Sequence, residues 1–548
     1  MSVSNVTLNN NIAVNPNSTP TQPVANNTTA ATPAPLPNSG NGEAVALGAD
    51  LARLSLQSLT APPATNSAGT TPTTALNPSL NPRAVFDNQV DAFLQNTIGI
   101  PQNKLVDRLS VDTVNSANLL SSSQDTFKRG GTATEFYTAG FPPTSTATLP
   151  RTIFDDQGVL SFYKVATPLS STQLQSVQNL YAGDLTSRKN YSVNIANIAK
   201  NLTSLSSSGL NSGLQNKVNS AINSLRTAYN TLSDVNAPAP DPRALYAQVA
   251  IAYSALNSSC DLNQAQKNMG KIGIGMLEIG ASNYDTNRLP VAGTPITPAP
   301  QTPPTGAQAM AAGFPLTNFD NVRNTPLSAA QANPTQTFGA SVTSYLNSIG
   351  LTGCDFDINK VDMQVNSANN LQSIEVPLGN GRSLTAFFNT GFPVPVGTAP
   401  QVAFKGTTGV RQYLDVASNP PQTQQKLTTY YANPANAARR TNLGVNYTNL
   451  TAAFTQLKQA GSLSPAAANQ VNDALATLAA AQQQLATPGG LPDVLGVYQK
   501  LGDNLDRLAS TCGFNQTQKE LFQTLSGSLL PIGVQNYYLV PVSLVQTA

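Results

Sequence analysis

The 548-residue chain contains no histidine, no tryptophan and three cysteines, and only 10% of it is charged, against roughly 25% in typical soluble domains. Each shortage closes off some chemistry. Without His there is no Ser/His/Asp or Cys/His nucleophile system, no imidazole metal ligand and no side chain whose ordinary titration falls near neutrality. Cys260, Cys354 and Cys512 are widely separated, which argues against a disulfide scaffold and for buried, reduced thiols. The 29 basic and 27 acidic residues leave a net charge of +2, and no basic run exceeds the pairs Arg188-Lys189 and Arg439-Arg440. A field that weak does not draw a chain onto nucleic acid or anionic lipid, so no nucleic-acid partner is expected. With 40% hydrophobic residues, the surface must be covered by Asn, Gln, Ser and Thr.

Long apolar runs are also scarce. The amino terminus lacks the basic and apolar regions of a cleavable signal peptide. The most apolar tail, Ser528 to Val545, is interrupted by Pro531, Gln535, Asn536 and Pro541. It falls short of the ~20 clean residues a membrane helix needs, so no transmembrane segment is expected.

What the chain does have is self-similarity. Val114–Asn118 recurs as Val365–Asn369, and Phe136–Pro142 is answered by Phe387–Pro393, both at a shift of 251. Ser258–Lys267 is answered by Ser510–Lys519 at 252, and Ile279–Tyr284 by Ile532–Tyr537 at 253. Four matches in one order at nearly one offset imply an internal duplication of a unit of roughly 200 residues, ample for a core. The expected organisation is an arm at 1–83, a repeat domain at 84–286, a Pro-rich linker at 287–333 and a second repeat domain at 334–548.

Residues 1–42 carry no charge and are dense in Asn, Thr, Pro and Ser, a composition that predicts disorder. Leu47, Leu51 and Leu54 fall at i, i+4 and i+7, which predicts a short amphipathic helix over 43–59, a candidate partner helix. Each repeat then opens with a helix, around Phe86, Val90 and Phe93 in the first and Val342, Tyr345 and Leu346 in the second. A small antiparallel sheet follows. Asn380-Gly381 marks a tight hairpin, with Gly130-Gly131 at the matching place. Phe154–Ala166 and Val410–Ala417 read as further strands.

The rest of each repeat is helical, with stripes such as Tyr191, Ile195, Ile198, Leu202 and Leu205, or Tyr447, Leu450, Phe454 and Leu457. Asp241 before Pro242 makes a good helix start. The fold class is α+β, mainly helical, with a small antiparallel sheet plus a helical bundle in each copy. The Pro-rich linker should join the domains loosely.

Sites of chemistry are few. Ser161-Phe-Tyr-Lys164 has the spacing of a Ser-x-x-Lys dyad, but it lies on an expected strand and its aligned positions are Gln412 and Asp415. Asp355, Asp357 and Asp362 lack the glycine and terminal Glu of a calcium loop. The close glycines of Lys271–Gly280 lack the Lys-Ser/Thr of a phosphate loop and read as packing positions. No catalytic, cofactor-binding or metal residue is assigned, and no cofactor is expected.

The arm is similar in composition to the amino-terminal signals of type III secretion substrates. That resemblance covers the arm and implies a leaderless exported bacterial effector or host-facing interaction protein; the duplication implies two related binding domains with protein partners, and the helix of Leu47, Leu51 and Leu54 is the expected contact for a secretion chaperone. The alternatives are a self-associating structural subunit of a surface layer, filament or virion, and an enzyme with a carboxylate-based site.

Overall fold

The computed structural model describes residues 82–105, 113–114, 119–128, 130–137, 140–141, 150–289, 304–351, 356–366, 368–379, 382–388, 391–395, 400–404, 407–511 and 513–546. The arm, the predicted helix over 43–59 with Leu47, Leu51 and Leu54, and Cys354 and Cys512 lie outside the described residues. Among the described residues the chain is mainly helical, with two small antiparallel sheets.

Helix α1 (Pro82–Phe93) buries Phe86, Val90 and Phe93 and runs through a π turn to Gly99, whose φ of 80° suits a residue without a β-carbon. Strands β1 (Thr113–Val114), β2 (Leu120–Thr126), β3 (Thr132–Phe136) and β4 (Arg151–Phe154) then pair in sequence order. Asp155 ends the sheet: its carboxylate accepts from the Gly158 N–H at 2.6 Å and so starts α2 (Asp156–Val165). The strand expected over Phe154–Ala166 is therefore a helix. The same correction applies to Val410–Ala417, where α12 (Thr407–Val416) stands. Over ten residues the apolar density of Val159, Leu160 and Phe162 in α2, or of Val410, Tyr413 and Leu414 in α12, mimics a buried strand.

Five longer helices complete this half: α3 (Ser171–Gly183), α4 (Leu185–Ser206), α5 (Ser212–Ser233), α6 (Pro242–Asn257) and α7 (Gln264–Gly280). The last four form a ring in which each packs on the next and α7 returns to α4, with α2 lying across α6 and α7. The predicted stripes face its interior: Ile195, Ile198, Leu202, Leu205, Val218, Leu225 and Val249 are all fully buried. Burial of each such side chain contributes ~1.5–3 kcal/mol relative to exposure.

Part of the spacer expected over 287–333 is helical. Residues 304–332 include α8 (Gly306–Ala311), α9 (Phe319–Arg323) and α10 (Ala329–Ala332). Phe319 is buried with its ring 5.4 Å from that of Tyr229, and Arg226 pairs with Asp320 at 2.8 Å. This part of the spacer is bound to the first half.

The second half repeats the order of elements: α11 (Pro334–Ser348), β5 (Asp362–Val365), β6 (Leu371–Gly379), β7 (Arg382–Phe387), β8 (Gln401–Phe404), α12, α13 (Pro421–Ala432), α14 (Ala437–Gln459), α15 (Pro465–Ala486) and α16 (Val494–Ala509). A long helical run, Gln516–Gln546, closes the chain. Ser122 faces Phe136 across one sheet as Ser373 faces Phe387 across the other, and both sheets slip register at the same place, Thr113/Val114 and Gln364/Val365. Gly379 pairs with Arg382 across β6 and β7, and the predicted turn Asn380-Gly381 lies outside the described residues.

The carboxy-terminal run corrects another expectation, since Pro531 and Pro541 do not break it. A π-helical turn precedes each proline, Leu525–Leu529 and Val534–Leu539, and widens the coil where the ring would meet a carbonyl. By length and composition Thr517–Val545 is long and apolar enough to cross a membrane, yet 72% of its most apolar window is buried in the protein.

The halves are not loosely joined. One continuous apolar core runs through both. α7 packs on β5, while the carboxy-terminal run packs on β1, so each half lays its last helix on the first strand of the other. Phe136 and Phe387 meet edge to face at this junction, 5.8 Å apart.

Candidate binding groove

The interiors of the two halves hold the same polar fastenings. Asn194 donates to the Met276 carbonyl at 3.0 Å and accepts from the Tyr246 hydroxyl at 2.8 Å. Asn446 donates to the Leu529 carbonyl at 3.1 Å and accepts from the Tyr498 hydroxyl at 2.9 Å. Arg188, fully buried, donates to the carbonyls of Leu232 in the last turn of α5 and of Asp234 and Ala237 just beyond it, and Arg440 does likewise to Leu485 in the last turn of α15 and Gly490 beyond it. These guanidinium groups satisfy carbonyls that a helix end leaves unpaired.

Against this shared frame, one face differs. In the first half α2, α5 and α6 enclose a groove of about 470 Å³. Leu160, Ala247, Ala250 and Ile251 line it, with Lys164 and Lys217 among its walls. Ile251 is 53% exposed, unusual for an isoleucine. A second hollow of about 460 Å³ shares Lys164 and adds Lys104 and Lys128. The face is thus apolar in its floor and cationic around it.

The matching face of the second half carries an ion-pair cluster. Arg411 stands where Leu160 stands in the first half, and its guanidinium pairs with Asp415 at 2.5 Å, Asp503 at 2.6 Å and Asp506 at 2.6 Å. At the shifts of 251 and 252, Asp415 answers Lys164, Asp503 answers Ile251 and Asp506 answers Ser254. Aspartate stands where the first half has Lys164, and a second aspartate where it has the exposed Ile251. A face lined by lysines on one half carries three carboxylates around one guanidinium on the other. No family model, curated protein or solved structure matches this chain.

Behind the groove wall lies a buried ion pair. Arg243 holds Asp285 through Nε at 3.0 Å and Nη2 at 3.1 Å, and its Nη1 donates to the Thr167 carbonyl at 3.1 Å. Tyr163, which lines the groove, donates its hydroxyl to Asp285 at 3.2 Å, and the guanidinium lies 5.2 Å from the Phe162 ring centre. Burial pushes the Asp285 carboxyl above its ordinary value against the pull of Arg243. In the second half Leu495 and Tyr538 occupy these places, and Tyr538 donates to the Ser418 carbonyl at 2.9 Å as Arg243 does to that of Thr167.

Where the sheets meet, a cavity of about 30 Å³ is lined by Gln124, Asp155, Glu278, Asp362, Gln364 and Glu375. Asp156 adjoins it, and Lys271 pairs with Asp362 at 2.7 Å and reaches Asp156 at 4.0 Å. Burial and then Asp362 push Asp156 up to about 7, while burial and the surrounding carboxylates push Glu278 well above its ordinary range. Among the described residues no group of three or more acidic or cysteine side chains is arranged to hold a metal ion.

Of the residues singled out by sequence, Lys164 lines the groove. Ser161 and Lys164 lie on helix α2, not on a strand, but the Ser161 hydroxyl donates to the Gly130 carbonyl at 2.9 Å. Asp357 caps a short turn at Asn359, and Asp362 turns to Lys271. Cys260 is unbridged and exposed rather than buried, because it follows α6 in a surface connection. Gly273 is a packing position as expected: a β-carbon there would lie 2.2 Å from the Tyr253 hydroxyl. Sequence reasoning missed the groove, although Lys164 opposite Asp415 was its visible signal.

Proposed function

We propose that this is a non-enzymatic interaction protein, exported from a bacterium, built from one unit used twice, in which the first unit carries the partner-binding site. The duplication is supported by the common element order, the common register slip and the paired buried contacts of Asn194 and Asn446. The observation that carries the binding reading is the contrast between the lysine-walled groove around Ile251 and the Arg411–Asp cluster in its place on the second half. Two related units that share a frame and differ at one face have diverged there in what they contact. An apolar floor with ammonium groups beside it fits an amphipathic, acidic segment of a protein partner.

The test uses anilinonaphthalene sulfonate, an apolar anion of groove size, titrated into the full chain and followed by fluorescence. Ile251→Ser should weaken its binding about fivefold without loss of helix, as expected for removing exposed apolar area from the contact. Unchanged binding would overturn the groove reading. Export is tested separately by fusing residues 1–82 to a reporter in a secretion-competent bacterium; equal export without residues 1–42 would overturn that part.

A further inference from the structure

The two hollows of the first half, of about 470 Å³ and about 460 Å³, share a single lining residue, Lys164. The turn of α2 explains why. At about 100° per residue, Leu160 and Tyr163 fall to one side of Lys164 around the helix, and Ser161 and Val165 to the other. The first pair lines the larger hollow and the second pair the smaller, so Lys164 stands on the ridge between them. Each hollow is apolar inside, through Leu160 and Ile251 in one and Phe127 and Val165 in the other, and no carboxylate lines either. Lys217 adds an ammonium group to the larger hollow, and Lys104 and Lys128 add two to the smaller. All four lysines are exposed, and among the described residues none has a carboxylate partner. At the shifts of 251 and 253, Gly379, Asp415 and Gln470 answer Lys128, Lys164 and Lys217. The lysines therefore belong to this face and not to the frame the halves share.

Resting on the groove reading above, we propose that the two hollows form one bipartite site for a peptide segment with two apolar anchors and carboxylates between them. The anchors enter the hollows on either side of α2, and the carboxylates between them meet Lys164. Acidic residues beyond the anchors meet Lys217 at one end and Lys104 and Lys128 at the other. An anionic bilayer fits less well, because it presents a plane to apolar surface that lies in recesses. Neither hollow has to hold its anchor tightly. Once one is seated, the short link between anchors holds the other at an effective concentration of order millimolar, so two weak contacts add to a strong one.

The probes are fluorescein-labelled synthetic peptides carrying two leucines separated by glutamate runs of increasing length, titrated into the full chain and followed by fluorescence polarisation. At one run length the peptide should bind at least about tenfold more tightly than its counterpart with one leucine. Ile251→Ser and Val165→Ser should each abolish most of that gain. Val165 is half-buried, so Lys128→Glu, on an exposed side chain, tests the smaller hollow without touching the core and should weaken binding about two- to fivefold. Lys164→Glu acts on both hollows and should weaken it more than Lys128→Glu does. No gain from the second leucine at any run length would overturn the inference. So would binding that responds to Ile251→Ser but to neither Val165→Ser nor Lys128→Glu; the larger hollow then acts alone and the groove reading stands. Lysine-dependent binding of phosphatidylglycerol vesicles in place of the peptides would make a membrane the occupant and overturn it equally. If Ile251→Ser leaves dye binding unchanged, the groove reading itself has failed.

Discussion

Replacing Arg243 and Asp285 by the residues at the matching places of the second half, Leu495 and Tyr538, asks whether an ion pair sealed in the first half stabilises it. The Arg243 and Asp285 side chains are 4% and 0% exposed. Arg243→Leu removes both guanidinium bonds to Asp285 and leaves a buried carboxylate with the Tyr163 hydroxyl alone. Asp285→Tyr leaves a buried guanidinium with the Thr167 carbonyl and the Phe162 ring. Stranding one charge of a buried pair costs ~3–5 kcal/mol, whereas replacing both by well-packed apolar groups ranges from neutral to stabilising by ~1–4 kcal/mol. The double variant should therefore lie within ~1–2 kcal/mol of the parent or above it, with the new tyrosine taking the Thr167 carbonyl as Tyr538 takes that of Ser418. The coupling energy of the cycle should exceed ~3 kcal/mol, above the usual range for neighbours.

Urea unfolding followed by circular dichroism and tyrosine emission is the assay, since the chain has 16 tyrosines and no tryptophan. The cost of Arg243→Leu should also shrink in acid. A carboxyl stranded by burial has a folded pKa above its unfolded one, so the folded state takes up the proton first and the penalty is full only at higher pH. Single variants as stable as the parent would refute burial of the pair. A double variant as unstable as the sum of the singles would refute the equivalence of the two places.

Two further outcomes are expected. At the sheet junction, Asp156 titrates near 7 when folded and near 4 when unfolded, so the folded state binds the extra proton and stability falls as pH rises from about 4 through about 7, by no more than ~4 kcal/mol at 1.36 kcal/mol per unit. Asp156→Asn should flatten that slope in melting curves between pH 4 and pH 8, and an unchanged slope would remove Asp156 as its source. Gly533→Ala would place a β-carbon 2.4–2.6 Å from ring and hydroxyl atoms of Tyr498, which Asn446 holds in place, and should cost ~1–3 kcal/mol. Gly444→Ala, within α14 and with nothing within 4 Å, should instead gain ~0.4–1 kcal/mol; equal effects in thermal melts would show that the packing at Gly533 is looser than described.

Helices were legible where their periodicity is long. The stripes from Tyr191 to Leu205 and from Val218 to Leu232 give several turns of consistent spacing, and burial confirms each. α2 was not legible, because ten residues carrying Val159, Phe162, Tyr163 and Val165 satisfy strand and helix preferences alike. The deciding residue was Asp155, whose cap bond to Gly158 is visible only once the backbone is placed. The composition of the spacer says nothing of Phe319, which packs beside Tyr229. The acidic junction draws Asp156, Glu278, Asp362 and Glu375 from four separate elements, and no local pattern announces such a meeting. The groove is intermediate, since Lys164, Lys217 and Ile251 are remote in sequence, yet the reversal from Lys164 to Asp415 is readable from the 251-residue shift alone.

The exchange of α7 onto β5 and of the carboxy-terminal run onto β1 ties the stability of each half to that of the other. Melting α7 strips the cover from a strand of the second half, and melting the carboxy-terminal run strips it from a strand of the first. With one apolar core running through both, neither half can open without exposing the other, and unfolding is expected as a single cooperative step.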